Sequence, residues 1–198
     1  RLHRIAGQSL DGKENWQIGI CYSPQSVRRD SAFDRRKNLQ DQYLYRVIKL
    51  YTDGAAKGNP GPGGYGAILR YGSHEKEISQ GFRLTTNNRM ELLAVISGLE
   101  AIQKNGIPVT VYSDSKYVVE AVKQGWIWGW EKKDFKNKAN PDLWKRYIKL
   151  HHKLEPKFVW IRGHAGHPEN ERCDRLAVAA AESGDLEVDS GYEESLKQ

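Results

Sequence analysis

Hydrophobic and polar positions divide the chain into an unpatterned front and a strongly patterned remainder. Residues 1–45 show no sustained period and few clustered apolar positions, with a charged run from Arg28 to Lys37. That pattern predicts a poorly ordered or non-native N-terminal extension, with at most a short helix from Phe33 to Tyr45. From Arg46 the pattern sharpens. Arg46–Asp53, Tyr65–Tyr71 and Glu75–Leu84 read as three strands, the last two joined by a turn at Gly72-Ser73. Asn88–Lys104 carries Leu92, Val95, Ile96, Leu99 and Ile102 at helical spacing, and Thr85 and Thr86 offer capping oxygens before it. Val109–Tyr112 reads as a fourth strand, Ser115–Gln124 as a helix, Trp126–Trp130 as a short aromatic helix and Glu131–Asn140 as a polar loop. Pro141–Leu154 follows as a helix, Lys157–Arg162 as a fifth strand and Glu169–Ser183 as an alanine-rich helix. The acidic stretch from Gly184 is expected to fray. Three strands able to meander, followed by strand–helix alternation, predict an α/β fold: a mixed five-stranded sheet with helices on both faces.

Composition narrows this little. A chain of 198 residues, 38% hydrophobic and 28% charged, suits one soluble domain of ordinary size. No apolar run nears the roughly 20 residues that cross a bilayer, so a cytoplasmic monomer without membrane contact is expected. Two cysteines, Cys21 and Cys173, allow one bridge at most, which fits a reducing compartment. The chain starts at Arg1, and its one methionine is Met90; it reads as processed, truncated or a fragment.

Charge changes the picture once it is located. The formal net charge of +6 sits entirely in Lys123–Lys153, where nine Lys/Arg face three Asp/Glu; the other 22 bases and 22 acids cancel. That stretch also carries Trp126, Trp128, Trp130, Phe135 and Trp144. Basic side chains interleaved with stacking surfaces suit a nucleic-acid backbone and its sugars or bases, although a solvated lysine-rich face with tryptophan anchors gives the same pattern.

Four acids occupy positions where acids are costly. Asp53 ends the first strand, before the glycine-rich run to Gly66, and Asp114 ends the fourth. Glu91 borders the apolar stripe of its helix, and Asp174 shares a helix face with Ala177, Val178 and Ala181. Singly, each has a plain role as hairpin acid, cap or dipole partner. Together they could meet at one end of a sheet. Several partly buried carboxylates cannot all ionise without a cation, and oxygen-only ligation favours Mg²⁺ or Mn²⁺ over Zn²⁺. His164, between Gly163 and Ala165, suits a mobile proton carrier. Zinc binding by His164, His167 and Cys173 is the rival reading, weakened by the absence of a spaced fourth soft ligand.

The motifs Thr52-Asp53-Gly54, Gly58–Gly66, Thr85–Glu91, Ser113-Asp114-Ser115 and Gly163–Asp174 occur in this order, and from about Val47 to Tyr192 the chain resembles a bacterial ribonuclease HI. The resemblance implies the ribonuclease H fold over 46–192, with a tail at 193–198, and cleavage of the RNA strand of RNA/DNA hybrids to 5′-phosphate and 3′-hydroxyl ends. It implies two Mg²⁺ ions, replaceable by Mn²⁺, on Asp53, Glu91, Asp114 and Asp174, with His164 near the leaving group. It places Gly54, Asn59, Asn87 and Asn88 on the RNA side and Thr86 and Trp130 on the DNA side, with Trp126 nearby. The chain departs from the pattern in two places. The basic protrusion is shorter, though Lys132, Lys133, Lys136 and Lys138 remain. Leu84, beside Arg83, stands where some relatives carry an arginine for a DNA phosphate. A binding module without chemistry would not need all four acids; another nuclease or resolvase of this fold would not need the Asn87-Asn88 pair.

Overall fold

The computed structural model describes residues 47–104 and 106–197, so the expectations for the N-terminal extension lie outside the described residues. Ile48–Ala56 (β1), Gly61–Tyr71 (β2) and His74–Thr85 (β3) form an antiparallel meander, continued by helix Asn87–Glu100 (α1). Val109–Ser113 (β4) and Lys157–Trp160 (β5) then add in parallel, giving the sheet order β3-β2-β1-β4-β5. Between these two strands lie Lys116–Lys123 (α2), Trp126–Glu131 (α3) and Pro141–Leu154 (α4); Pro168–Ala181 (α5) and Ser190–Ser195 (α6) close the chain. The mixed five-stranded sheet is as expected.

The period-two pattern of β1 explains how the sheet is sandwiched. Ile48 and Leu50 turn to the α1 side, where Leu92, Val95, Ile96 and Leu99 join Val109, Val111, Trp144 and Tyr147 in one core. Gly98 lets α1 settle onto Leu50, since a Cβ there would overlap the leucine methyls. On the other face, Gly64 and Gly66 meet α5: a Cβ on Gly64 would stand 2.6 Å from the Ala177 carbonyl oxygen. Ala177 and Cys173 are fully buried there.

Those glycines correct one expectation. Gly54 to Gly64 is not a long turn after a strand that stops at Asp53. β1 runs on to Ala56 and pairs through Asp53↔Gly66 and Ala55↔Gly64, leaving the tip to Lys57–Pro60. Glycine is scarce in strands because it offers nothing to pack. Here the missing side chains make room for a helix backbone.

Other boundaries shift for local reasons. α1 ends at Glu100 instead of Lys104, although Ile102 remains buried. Neither threonine caps it: Thr86 makes no cap hydrogen bond, and the Thr85 hydroxyl donates to Asp189 Oδ2 at 2.7 Å. The stretch from Gly184 is also more than a tail. Glu187 bridges to Phe82, Asp189 is buried, and α6 crosses the expected boundary at 192. Its anchor is Arg89, 3% exposed, which donates to both Asp142 and Asp189. Tyr192 covers the guanidinium, with its ring centroid 5.8 Å away.

Candidate active site

Asp53 lies in the middle of β1, opposite Gly66. Cross-strand partners share a sheet face, and Gly66 abuts Cys173, so Asp53 faces the helix that carries Asp174. Burial is the main reason its carboxyl is pushed up to about 8, and the charge of Asp114 is next; Asp174 and Glu91 add to the shift, while the Gly54 amide, donating at 2.7 Å, opposes it. Three acids distant in sequence therefore act electrostatically on Asp53.

Glu91 enters from α1 as its fifth residue, one turn in from the N-terminus. Gly54 makes that possible, because a Cβ there would overlap the Met90–Glu91 backbone. Asn87 Nδ2 donates to Glu91 Oε1 at 2.9 Å, and the Ser115 hydroxyl donates to Oε2. The Glu91 carboxyl is raised above its ordinary range, first by burial and then by Asp114, with both hydrogen bonds opposing. Asp114 follows β4. Ser115, not Asp114, caps α2 by accepting from the Val118 amide at 3.3 Å, which leaves the aspartate free of that duty. Asn170 Nδ2 donates to Asp114 Oδ2 at 3.3 Å, and the exposed Trp160 indole donates to the Asp114 carbonyl at 3.0 Å.

His164 is exposed in the loop after β5, at a φ of 52°. Its neighbour Gly163 lies against Asp114, where a Cβ would stand 2.5 Å from Oδ2, so the loop borders the acids. Among the described residues no three His, Cys, Asp or Glu side chains close into a cage around one point. What links the acids is the field that Asp114, Asp174 and Glu91 exert on Asp53. The zinc alternative is weaker still. Cys173 is fully buried, and burial, then the charge of Asp53, pushes its thiol away from the thiolate a soft metal needs.

The polar residues expected beside the acids divide into two groups. At the hairpin tip, Asn59 accepts from the Asn87 amide at 3.3 Å; Gly54 is buried in β1, and Asn88 is exposed on α1, just after Thr86. The other group surrounds α3. Trp126 is 49% exposed, a surface residue and not a core anchor, and its ring centroid lies 6.4 Å from that of the half-buried Trp130. They border a cleft of about 340 Å³ with Lys116, Tyr117 and Lys138. Lys138 Nζ stands 5.1 Å from the Trp130 ring centroid, and Lys132, Lys133 and Lys136 are exposed. The loop that bears them is short but anchored by buried Phe135. Trp144 lies wholly in the core and donates to Tyr117 Oη at 2.9 Å.

Sequence reasoning missed Ser115, Trp160, Asn170 and Arg89. Asn170 had a readable signal, lying four residues before Asp174 on one helix face. The partners of Arg89 are 53 and 100 residues away, so nothing local announces them.

A mixed five-stranded sheet with acids around its central strand and a basic aromatic flank defines a nuclease of the ribonuclease H class. The RNase H family model matches residues 46–182, and the chain belongs to that family. It is 56% identical to a ribonuclease H of Desulforamulus reducens over 157 residues, covering 77% of this chain and 98% of that one. A ribonuclease H of Syntrophus aciditrophicus is 55% identical over 152 residues, covering 74% and 87%. Among solved structures, LC9-RNase H1, a type 1 RNase H with the type 2 active-site motif, matches with a TM-score of 0.64 at 32% identity, covering 77% of this chain and 82% of that one. LC11-RNase H1 in complex with RNA/DNA hybrid matches at 0.51 and 28%, covering 68% and 96%.

Proposed function

We propose that the chain hydrolyses the RNA strand of RNA/DNA hybrids, with Asp53, Glu91, Asp114 and Asp174 holding two Mg²⁺ ions, for which Mn²⁺ can substitute. The observation that carries this reading is the carboxyl of Asp53, displaced to about 8 by burial and by three other acids. Four hard oxygen donors in mutual repulsion fit divalent cations of this kind, which remove the repulsion on binding. When bound, such ions supply Lewis acidity, activating the attacking water and stabilising the leaving oxygen of an in-line displacement.

The chain's own residues do the rest. His164, on its exposed loop, protonates the leaving 3′-oxygen, giving 5′-phosphate and 3′-hydroxyl ends. Asn59, Asn87 and Asn88, with the Gly54 backbone, meet the minor groove, where amides distinguish a 2′-hydroxyl from hydrogen. Thr86, Trp126, Trp130 and the lysines at 132, 133, 136 and 138 hold the DNA strand by stacking and charge.

The test offers RNA/DNA hybrid, duplex DNA and duplex RNA, each labelled on either strand, with Mg²⁺ or with EDTA. Cleavage confined to the RNA strand of the hybrid and abolished by EDTA is expected. Equal cutting of duplex DNA, or activity that survives EDTA, contradicts the reading.

A further inference from the structure

Asn170 is 3% exposed, and only one end of its amide is satisfied. Nδ2 donates to Asp114 Oδ2 at 3.3 Å, while Oδ1 is buried without a partner among the described residues. A buried acceptor left unpaired costs about 1–3 kcal/mol, so a purely structural asparagine would be expected to satisfy both ends or to be replaced by an apolar residue. The orphan oxygen belongs to the same small group that grips Asp114. It therefore lies beside the acid site and not in a remote part of the core. Reversing the amide would set its oxygen against the Asp114 carboxylate, so the donor assignment follows from charge.

We infer that Asn170 is a positioning residue for Asp114: its Nδ2 fixes the carboxylate, and its free Oδ1 accepts a hydrogen bond from water held in the loaded site. The inference rests on the proposed metal-dependent reading of the four acids. Two placements support it. Asn170 stands four residues before Asp174 on α5, one helical turn away, so a single rigid element carries one acid and orients another. Gly163 closes the other side of Asp114 Oδ2, so the oxygen is held between the helix and the histidine loop. Partners that orient ligands in this way commonly contribute 10–100-fold, in order of magnitude, to metal affinity or rate.

The test compares Asn170→Ala, Asn170→Asp and wild type in three measurements: Mg²⁺ binding by calorimetry without substrate, kcat and KM on an RNA/DNA hybrid, and thermal unfolding. Asn170→Ala should lose about tenfold or more in Mg²⁺ affinity and in kcat while KM for the hybrid holds. Asn170→Asp keeps the shape but sets a second acid against Asp114, and should lose more kcat than the alanine variant. If Asn170→Ala does not fold, Asn170→Ser, which fits the same space, is measured instead. A folded variant with wild-type Mg²⁺ affinity and kcat, whatever its melting temperature, overturns the inference, and so does a change confined to KM. Wild type without activity on the hybrid would instead overturn the proposed function, so the two failures are distinguishable.

Discussion

At the scale of single residues, the site trades stability for chemistry. Ionising Asp53 works against burial and three like charges, so without metal the carboxyl holds its proton up to about pH 8. Its folded-state carboxyl lies above the ordinary value of 3.8, so folding takes up a proton between that value and about 8. Stability in EDTA should therefore rise as pH falls from about 8 towards 3.8, and Asp53→Asn should flatten that rise. At pH 8 and above, the variant should melt at a higher temperature than wild type while losing turnover. Melting curves across pH in EDTA check both; an unchanged slope in the variant contradicts the account. Gly54→Ala tests the neighbouring backbone. The added methyl must displace the Met90–Glu91 turn, at a cost of about 1–3 kcal/mol or more, with loss of kcat as Glu91 moves. His164→Ala should slow cleavage without abolishing it, and a pH–rate profile identical to wild type would remove its proton-transfer role.

At the scale of elements, Arg89 connects three segments. It lies on α1, three and two residues after Thr86 and Asn87 respectively, and binds Asp142 at the start of α4 and Asp189 before α6. Removing one partner leaves a buried cation short of charge, so Asp189→Ala should cost about 3–5 kcal/mol in denaturant unfolding. Burial alone would raise the Asp142 carboxyl, but the Arg89 hydrogen bonds outweigh it and hold it below its ordinary range. The stability from that pair is thus present at neutral pH and lost as pH falls through the lowered value. Element by element, the sequence was most readable where one period governed: the α1 stripe at Leu92, Val95, Ile96 and Leu99, and the alternation of β4. It was least readable where a distant partner decided the outcome. The glycines of β2 looked like a turn because their reason for being there is the backbone of α5, more than 100 residues away. The stretch after Gly184 looked like a tail because Arg89, which holds it, lies on the first helix.

At the scale of the whole molecule, the proposed chemistry and much of the proposed binding fall on different parts of the chain. The acids come from β1, α1, the end of β4 and α5, while the basic excess is confined to Lys123–Lys153 around α3. No described helix is long and apolar enough to cross a membrane. Hybrid affinity should therefore fall with added salt, and Lys138→Ala should lessen that dependence by about one unit of log–log slope without touching the acids. The four acids could be singled out one by one in the sequence, and the field acting on Asp53 is what the structure adds; of the hydrogen-bonding supports, Asn170 was signalled only by its spacing to Asp174, and Ser115 by nothing, since a capping serine gives no sign of which side chain its hydroxyl meets. The central claim is that the acids perform the chemistry while the basic aromatic flank performs the binding. Asp114→Asn tests it most directly, with hybrid Kd and turnover measured on the same preparation. Turnover should vanish while the Kd stays at the wild-type value; a near-normal rate would take Asp114 out of the catalytic centre and contradict the account.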